Sequence, residues 1–460
     1  MSSLVVANGV VVPVVPRGVV HEPGWVRVED SRIAEVGAGA PRVEPGDEVV
    51  DARGGLVLPG FVSAHQHVLD ILLRGGVRVG PSFLDWLLGL YYAGMACYEP
   101  PDAYVATMLG GAESIHAGVT TIVDNWGVCG GDSAARIEEC AVASLTAYAR
   151  LGLRVVFARM FATSLPEPWR AAVRVPYDLD RLVAPYEPTL AAIDALASSI
   201  PAEARARIAV CAAPELPEMV APAELRATLL HARAHGTLMP THLLASDASR
   251  SYADAAALDA TGALGPEVLG AHCTAATDED VALLAARRVS IAHCPTSSAA
   301  LGHVTSAGRF RAAGCTVGLG SDNASLNRNS DILAEARQAL LVSRALGPGD
   351  TWISATDAVE MATIEGARAI GRAEEIGSLT AGKRADLVVL DTSGPRWSPR
   401  HDWLETLVMQ GRSSDVRTVI VDGRVVMRDG ALPGIDEVEL AQDAQRASER
   451  LLARAGLAPA

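Results

Sequence analysis

Eight short apolar runs alternate with helical stretches through the middle of the 460-residue chain, and this alternation limits its fold more than any other feature. Apolar runs separated by amphipathic helices favour a parallel sheet with crossover helices. Eight such units predict an α/β fold of the (β/α)8 barrel type. A doubly wound open sheet is the alternative, but no GxGxxG turn follows the first run. The runs occupy residues 56–67, 119–126, 153–161, 207–214, 237–244, 267–273, 289–294 and 315–322.

The two ends of the chain have a different texture, with short alternating strands separated by turn residues. Residues 1–58 and 380–435 are predicted to complete one small composite β-sandwich domain. The barrel, residues 59–379, is then inserted between these two segments. Residues 436–460 are predicted to form a C-terminal amphipathic helix.

Composition and charge limit the partners of the chain. The formal net charge of −15 argues against nucleic acid or an anionic membrane surface as a partner. No signal peptide or membrane-spanning run is visible. Seven dispersed cysteines without a CxxC pair fit reduced thiols and predict a cytoplasmic protein. Cys129, beside two glycines, is interpreted as a buried spectator in preference to a reactive thiol.

Two histidines, His65 and His67, end the first apolar run with a single glutamine between them. Side chains alternate faces along a strand, so both imidazoles are expected to point to the same side. A pair of imidazoles on one face suits a shared metal ion. The alternative is two core histidines that each have their own hydrogen-bond partner.

Four more polar side chains end later runs: His242 the fifth, His272 the sixth, His293 the seventh and Asp322 the eighth. His272 follows His242 by 30 residues, His293 follows His272 by 21, and Asp322 follows His293 by 29, each the length of one strand–helix unit. In a barrel, chemistry lies at the carboxyl ends of the strands. These four side chains are therefore expected to converge with the first histidine pair. The other six histidines are assigned to helices or loops.

A metal site needs at least three protein ligands and an open position for water. Imidazoles with one carboxylate suit zinc, with iron(II) as the alternative, and such an ion lowers the pKa of bound water to about 7. Asp322 is expected both to touch the metal and to accept a proton from that water, and His293 to steer the water. Lys383, the only lysine, lies far from every predicted strand end. This excludes a lysine-bridged pair of ions and predicts a single one.

Several segments together resemble the amidohydrolase superfamily, in its branch of guanine, cytosine, adenosylhomocysteine and pterin deaminases and triazine hydrolases. The segments are LVLPGFVSAHQH, LLRGG, FLDWL, GVTTIVDNW, LGAHC, AHCPTSS, LGSDNAS and IGSLTAGKRADLVVLD, in the family's order over residues 1 to 435. The resemblance implies a metal-dependent hydrolase of a small molecule, often a homodimer. It implies His65, His67, His242 and Asp322 as metal ligands. It further implies His272 close to or on the metal, with a catalytic role, and His293 as the residue that orients the attacking water.

The chain departs from this branch at two positions. The histidine that ends strand five is usually followed three residues later by a glutamate, which protonates the substrate ring and shuttles a proton to the leaving amine; here Ala245 stands there. Loss of a positioned acid costs on the order of 10²–10⁴ in rate. The fourth run has Ala212 where relatives often carry a histidine in a P-H-x-P context. Glu215 and Asp247 are candidate replacements as polar, substrate-binding groups.

Three functional hypotheses follow from these departures. The first is a hydrolytic deaminase of an N-heteroaromatic ring such as a purine, pterin or triazine. The second is a hydrolase that displaces halide, thiolate or an activated amide, for which the acid is dispensable. The third is a non-hydrolytic lyase or isomerase, or a binding scaffold. Trp86 is expected to offer a flat surface to the ring and Asn323 to read its polar edge, although Trp86 could instead pack as part of a helix on the barrel.

Overall fold

A computed structural model describes residues 3–75, 83–127, 134–172 and 178–457. Cys129 lies outside the described residues. The described strands, in chain order, are β1 Ser3–Val11, β2 His21–Glu29, β3 Arg32–Ala38, β4 Glu48–Asp51, β5 Leu56–Pro59, β6 Phe61–His67, β7 Val119–Trp126, β8 Arg154–Phe161, β9 Ile208–Pro214, β10 Met239–Leu243, β11 Val268–His272, β12 Ser290–His293, β13 Val317–Leu319, β14 Asp322–Asn323, β15 Leu387–Leu390, β16 Val416–Val421 and β17 Arg424–Met427.

Strands from both ends of the chain share one eight-stranded sheet, in the order β17-β16-β15-β5-β1-β2-β3, with β4 paired to β1. One set of its apolar side chains, including Val6, Val26 and Ile420, forms a core of its own. The predicted joining of the two terminal segments is therefore seen. The predicted sandwich is not, because the described strands of these segments all belong to a single sheet.

The middle of the chain forms parallel sheets in the predicted strand order. β14-β6-β7-β8-β9 make one sheet and β10-β11-β12-β13 make the other. All pairings within these two sheets are parallel, as crossover helices require. β7 and β8 are buried along their whole length, which explains why these runs are continuously apolar and do not alternate.

Gly60 separates the terminal sheet from the first parallel strand. The first apolar run, residues 56–67, contains two strands on either side of Gly60, since β5 pairs with β15 and β6 pairs with β7. A Cβ atom at Gly60 would lie 2.2 Å from the side chain of Thr120, so only glycine fits at this change of direction. Its N–H donates to the carbonyl of Asp386 at 2.9 Å, which joins the two sheets.

Helices separate the parallel strands and show the expected end signals. Thr277 caps the helix Asp278–Ala286 by accepting a hydrogen bond from the N–H of Asp280, and Gly236 ends the helix Pro222–His235 with φ of 62°. The described helices are α1 Phe83–Trp86, α2 Tyr92–Met95, α3 Pro100–His116, α4 Ala134–Leu151, α5 Glu167–Ala172, α6 Tyr186–Ser199, α7 Pro222–His235, α8 Asp247–Tyr252, α9 Ala255–Ala260, α10 Asp278–Ala286, α11 Pro295–Ala300, α12 Ala307–Ala312, α13 Ile332–Leu346, α14 Ala355–Ala362, α15 Ile364–Ala369, α16 Trp403–Gln410 and α17 Glu437–Arg454.

A buried ion pair joins β8 to the terminal sheet. The guanidinium of Arg154, fully buried, donates to both carboxylate oxygens of Asp386 at 2.8 and 3.0 Å. Asp422 lies 3.4 Å from the same guanidinium. Since each buried charge has its partner, the ion pair fixes where the terminal sheet meets the parallel strands.

The C-terminal helix α17 forms where it was predicted and contacts the segment that follows β6. Ser448 donates a hydrogen bond to the carbonyl of Leu72 at 2.6 Å, and Arg454 donates to the carbonyl of Cys97 at 3.0 Å. None of the helices that the structure describes is both long enough and apolar enough to cross a membrane.

Candidate metal centre and substrate cavity

The carboxyl ends of four parallel strands bring five of the predicted side chains together. The Nε2 atoms of His65 and His67 lie 3.4 and 3.6 Å from Oδ1 of Asp322, and Nε2 of His272 lies 4.0 Å from its Oδ2. Nε2 of His242 lies 3.1 Å from Nε2 of His67. In two overlapping groups, His65-His242-His272 and His65-His67-Asp322, the ligand atoms lie within 4.8 Å of one another. Side chains up to 257 residues apart in sequence therefore meet at one point.

Hydrogen bonds to backbone carbonyls select the tautomer of two of these histidines. Nδ1 of His67 lies 2.8 Å from the carbonyl oxygen of Asn125, and Nδ1 of His242 lies 2.7 Å from that of Glu215. Because a carbonyl only accepts, each Nδ1 carries the proton and each Nε2 presents a lone pair. The two Nε2 lone pairs, 3.1 Å apart, cannot hydrogen-bond to each other, whereas a cation between them satisfies both.

Burial keeps these imidazoles neutral. It lowers the pKa of His67 and His242 to about 3 and that of His65 and His293 to about 4. Burial by itself would raise the pKa of Asp322, but the neighbouring imidazoles hold that pKa well below its usual range. The cluster thus offers neutral imidazoles and one carboxylate at neutral pH, which is the donor set that zinc and iron(II) prefer.

The strand ends hold two residues of the cluster, and one residue that follows a strand, in strained backbone conformations. His272, Asp322 and Leu244, which follows the fifth strand, have φ of 70°, 59° and 47°. Left-handed φ values cost residues other than glycine on the order of 1–3 kcal/mol and cluster at functional sites. Strain at two metal-facing residues fits a site whose geometry is maintained by the surrounding structure.

A cavity lies over the cluster, and its wall includes His67, His242, His272 and Asp322. Most of its wall is apolar and part of it is aromatic. A π-helical turn, Leu87–Tyr91, lies between α1 and α2 and contributes to this wall, which agrees with the frequent occurrence of such turns at functional sites. The apolar side chains lining the cavity include Phe83, Trp86, Leu87, Tyr91, Leu301 and Leu326.

Trp86 and Asn323, the two residues predicted to bind the ring, both lie on the cavity wall. Trp86 lines the cavity and donates its indole N–H to Oγ of Ser325 at 3.0 Å. Ser325 in turn donates to Oδ1 of Asn323 at 2.8 Å, and Asn323 also lines the cavity. The aromatic wall and the polar group at the end of the eighth strand are therefore joined by hydrogen bonds.

Glu215 directly follows β9, the strand formed by the fourth apolar run. It lines the cavity with 6% of its surface exposed, and one carboxyl oxygen accepts a hydrogen bond from the hydroxyl of Tyr92 at 2.5 Å. Burial raises the pKa of its carboxyl to about 7. Ala212 is buried within β9 and does not belong to the cavity wall, whereas Glu215, in the letters PELP, does.

Ala245 lines the cavity at the position where the resemblance leads to the expectation of a glutamate. The hydroxyl of Thr274, which also lines the cavity, donates to the carbonyl of Ala245 at 2.7 Å. The interpretation of Asp247 as a substrate-binding residue is not supported. Asp247 is exposed on the first turn of α8 and does not belong to the cavity wall.

Two further histidines lie near the strand ends or the cavity. His293 ends β12 as predicted and is buried, and its Nε2 has no hydrogen-bond partner among the described residues. His303, assigned to a loop, does lie in a loop but also lines the cavity. Periodicity carries no signal for such a residue, because a loop has no repeat that indicates where a side chain points.

Residues 56–426 match the model of the amidohydrolase family, which covers more than half of the chain. The chain belongs to the amidohydrolase family. The resemblance seen in the sequence motifs is thereby confirmed, and the protein is a hydrolase that acts on carbon–nitrogen bonds.

Known proteins are similar to this amidohydrolase over nearly the full length of both chains. It is 30% identical to a 5-methylthioadenosine/S-adenosylhomocysteine deaminase of Moorella thermoacetica over 96% of this chain and 97% of the relative. A zinc-bound adenosine deaminase of Xanthomonas campestris superimposes with a TM-score of 0.83 at 25% identity, over 98% of this chain and 99% of that one. An atrazine chlorohydrolase of Arthrobacter aurescens in complex with zinc superimposes with a TM-score of 0.85 at 22% identity, over 97% and 100%, and shows the shared fold.

Proposed function

We propose that this amidohydrolase is a metal-dependent hydrolytic deaminase of an uncharged N-heteroaromatic small molecule such as a purine, pterin or triazine. The observation that carries the proposal is the convergence of four imidazoles and one carboxylate at the floor of an apolar cavity with an aromatic wall. Flat rings bind well to such walls. Within the described residues no lysine or arginine lines the cavity, which supports an uncharged substrate in preference to an anionic one.

The proposed cofactor is one divalent ion, zinc in preference to iron(II). His65, His67, His242 and Asp322 would hold it, with His272 beside them. The opposed Nε2 lone pairs of His67 and His242 support this assignment. When bound, the ion would supply Lewis acidity and a coordinated water of lowered pKa. Lys383 donates to the carbonyls of Ala373 and Ile376, at the junction with the terminal sheet, which is consistent with a single ion.

Four side chains of the chain itself would then act on the attacking water or the substrate. Asp322 lines the cavity as a carboxylate and would accept the proton of the attacking water. His272 and His293 would orient that water. Glu215, whose carboxyl faces the cavity, is our candidate for the group that binds a ring nitrogen or an amino group.

Ala245 favours one alternative function. A leaving group such as chloride or a thiolate departs as an anion and needs no proton, so the absent glutamate would not slow its release. Among the described residues, the neutral hydroxyl of Thr274 hydrogen-bonds to the carbonyl of Ala245. A hydrolase that displaces such a leaving group is therefore the second candidate, and a lyase or isomerase the third.

The proposal also includes closure of the parallel strands into a barrel. We expect β6 to β13 to close into a (β/α)8 barrel. Two contacts support this closure. The N–H of His242 donates to the carbonyl of Glu215 at 3.2 Å, which joins the two parallel sheets, and β14 pairs with β6. The domain boundaries at residues 58, 379 and 435 stay predictions. A homodimer and a cytoplasmic location also stay predictions, the latter supported by the buried free thiols of Cys140, Cys211, Cys273, Cys294 and Cys315.

Metal analysis combined with turnover tests the proposal. The purified protein is expected to contain one zinc ion per chain and to release ammonia from at least one aminopurine, aminopterin, aminopyrimidine or aminotriazine. The chloro analogue of each ring is tested beside the amino compound. Release of chloride without ammonia would favour the alternative leaving group. A metal-loaded protein that is inactive on all of these amino and chloro compounds would contradict hydrolysis of this substrate class.

A further inference from the structure

Asn125 contacts two of the proposed metal ligands at once. It lies in β7, next to the strand that carries His65 and His67, and is 1% exposed. Its backbone carbonyl accepts the Nδ1–H of His67 at 2.8 Å, and its side-chain amide lies 2.8 Å from Nδ1 of His65. One residue of the second parallel strand therefore contacts the inner nitrogen of both histidines of the first.

The direction of the bond to His65 decides whether that histidine can bind a metal. Nε2 of His65 faces the cluster, 3.4 Å from Oδ1 of Asp322, and makes no hydrogen bond of good geometry with a described residue. To offer a lone pair there, the ring must carry its proton on Nδ1, and that proton needs an acceptor. Asn125 is the residue within hydrogen-bond distance of Nδ1.

The amide of Asn125 can provide this acceptor. Its oxygen is buried and has no hydrogen-bond partner among the described residues when its nitrogen faces the ring. The two ends of an amide have the same shape, so rotation by half a turn exchanges them without moving a neighbouring atom. After this rotation the oxygen accepts the Nδ1–H of His65, and the amide nitrogen takes the position in which the oxygen had no partner.

We infer that Asn125 is a positioning residue that sets the tautomer of both first-strand histidines toward the metal. It acts on His67 through a backbone carbonyl, which no substitution removes, and on His65 through its side chain, which a substitution does remove. The inference rests on the proposed metal site but not on the identity of the substrate. Partners of this kind typically contribute 10–100-fold to metal affinity.

Zinc affinity, measured by competition with a chromophoric chelator on the full chain, tests the inference. Asn125→Leu keeps the size of the side chain without an acceptor and is expected to weaken zinc binding about 10–100-fold. Asn125→Asp keeps an acceptor and is expected to bind zinc within a few-fold of the unsubstituted protein. Thr121→Val is the matched control, because Thr121 is a buried residue of the same strand whose hydroxyl has no partner among the described residues.

The outcomes separate the inference from the proposed function. Zinc binding by Asn125→Leu as tight as that of the Thr121→Val control would overturn the inference, whereas an unsubstituted protein that binds no metal would overturn the proposed metal site itself. If Asn125→Leu fails to fold, nitrogen chemical shifts of His65 in the metal-free unsubstituted protein still show which ring nitrogen carries the proton. A proton on Nδ1 supports the inference, and a proton on Nε2 contradicts it.

Discussion

The Nε2 atoms of His67 and His242 lie 3.1 Å apart on rings whose planes differ by 2°, although 175 residues separate them in the chain. Two nitrogens that each bind one zinc ion at about 2.0–2.1 Å lie roughly 3.0–3.5 Å apart. The spacing is therefore that of two ligands of one ion, and it exists because each ring is held from behind by a backbone carbonyl.

Substitution of His242 tests this relationship. His242→Ala is expected to reduce bound zinc from about one equivalent per chain to a small fraction, because it removes one of the two opposed nitrogens and leaves too few ligands for a tight site. Zinc content after dialysis against a weak chelator measures the effect. His303→Ala is the control, since His303 lines the cavity without belonging to the cluster, and it should keep its zinc. Full retention of zinc by His242→Ala would contradict the assignment.

Metal binding should resist acid better than binding by exposed histidines does. Burial lowers the pKa values of His65, His67 and His242 to between about 3 and 4, below the usual 6.5. In the folded protein these rings thus stay neutral as the pH falls through 6.5 and compete for protons only near pH 4. The zinc dissociation constant of the folded protein is expected to change little between pH 7.5 and 5.5. A rise of tenfold or more per pH unit below 6.5 would contradict this expectation.

Introducing the acid that relatives carry separates the two leading functions. If deamination is limited by the missing proton donor, Ala245→Glu should raise the rate of ammonia release, on the order of 10²-fold for a weakly activated ring. Ala245→Gln, which has the same size without an acid, should not. Release of chloride from a chloro analogue should not improve with either variant. A fall in every activity would indicate that the space beside Ala245 is occupied by the natural substrate.

The buried ion pair between Arg154 and Asp386 predicts a large effect on stability. Asp386→Ala leaves the fully buried guanidinium without its main partner and is expected to cost about 3–5 kcal/mol of the free energy of unfolding. Arg446→Ala breaks the exposed pair with Asp443 and should cost less than about 1 kcal/mol. Thermal and urea unfolding measure both. Equal effects of the two substitutions would show that the buried pair does not join the sheets energetically.

Much of the fold could be read from local patterns. A strand buried on both faces must be continuously apolar, and a helix end needs a cap, so the eight runs, the Thr277 cap and the Gly236 terminus were predictable from short stretches. The terminal strands were recognised as strands for the same reason. Their arrangement in one sheet was not, because alternation specifies that one face is buried but not which strands pair with which.

The residues of the candidate site also fall into two groups, those that the sequence revealed and those that it did not. His65, His67, His242, His272 and Asp322 were found from the sequence alone, because each lies at or near the end of an apolar run and parallel strands end at one edge. Asn125 and Thr274 were missed, since their roles depend on hydrogen bonds across strands or between loops that leave no periodic signal. The sequence by itself determined which ligands the strands could present. Only the tertiary structure decided which groups orient those ligands and which side chains line the cavity, because these contacts join residues that no local pattern relates.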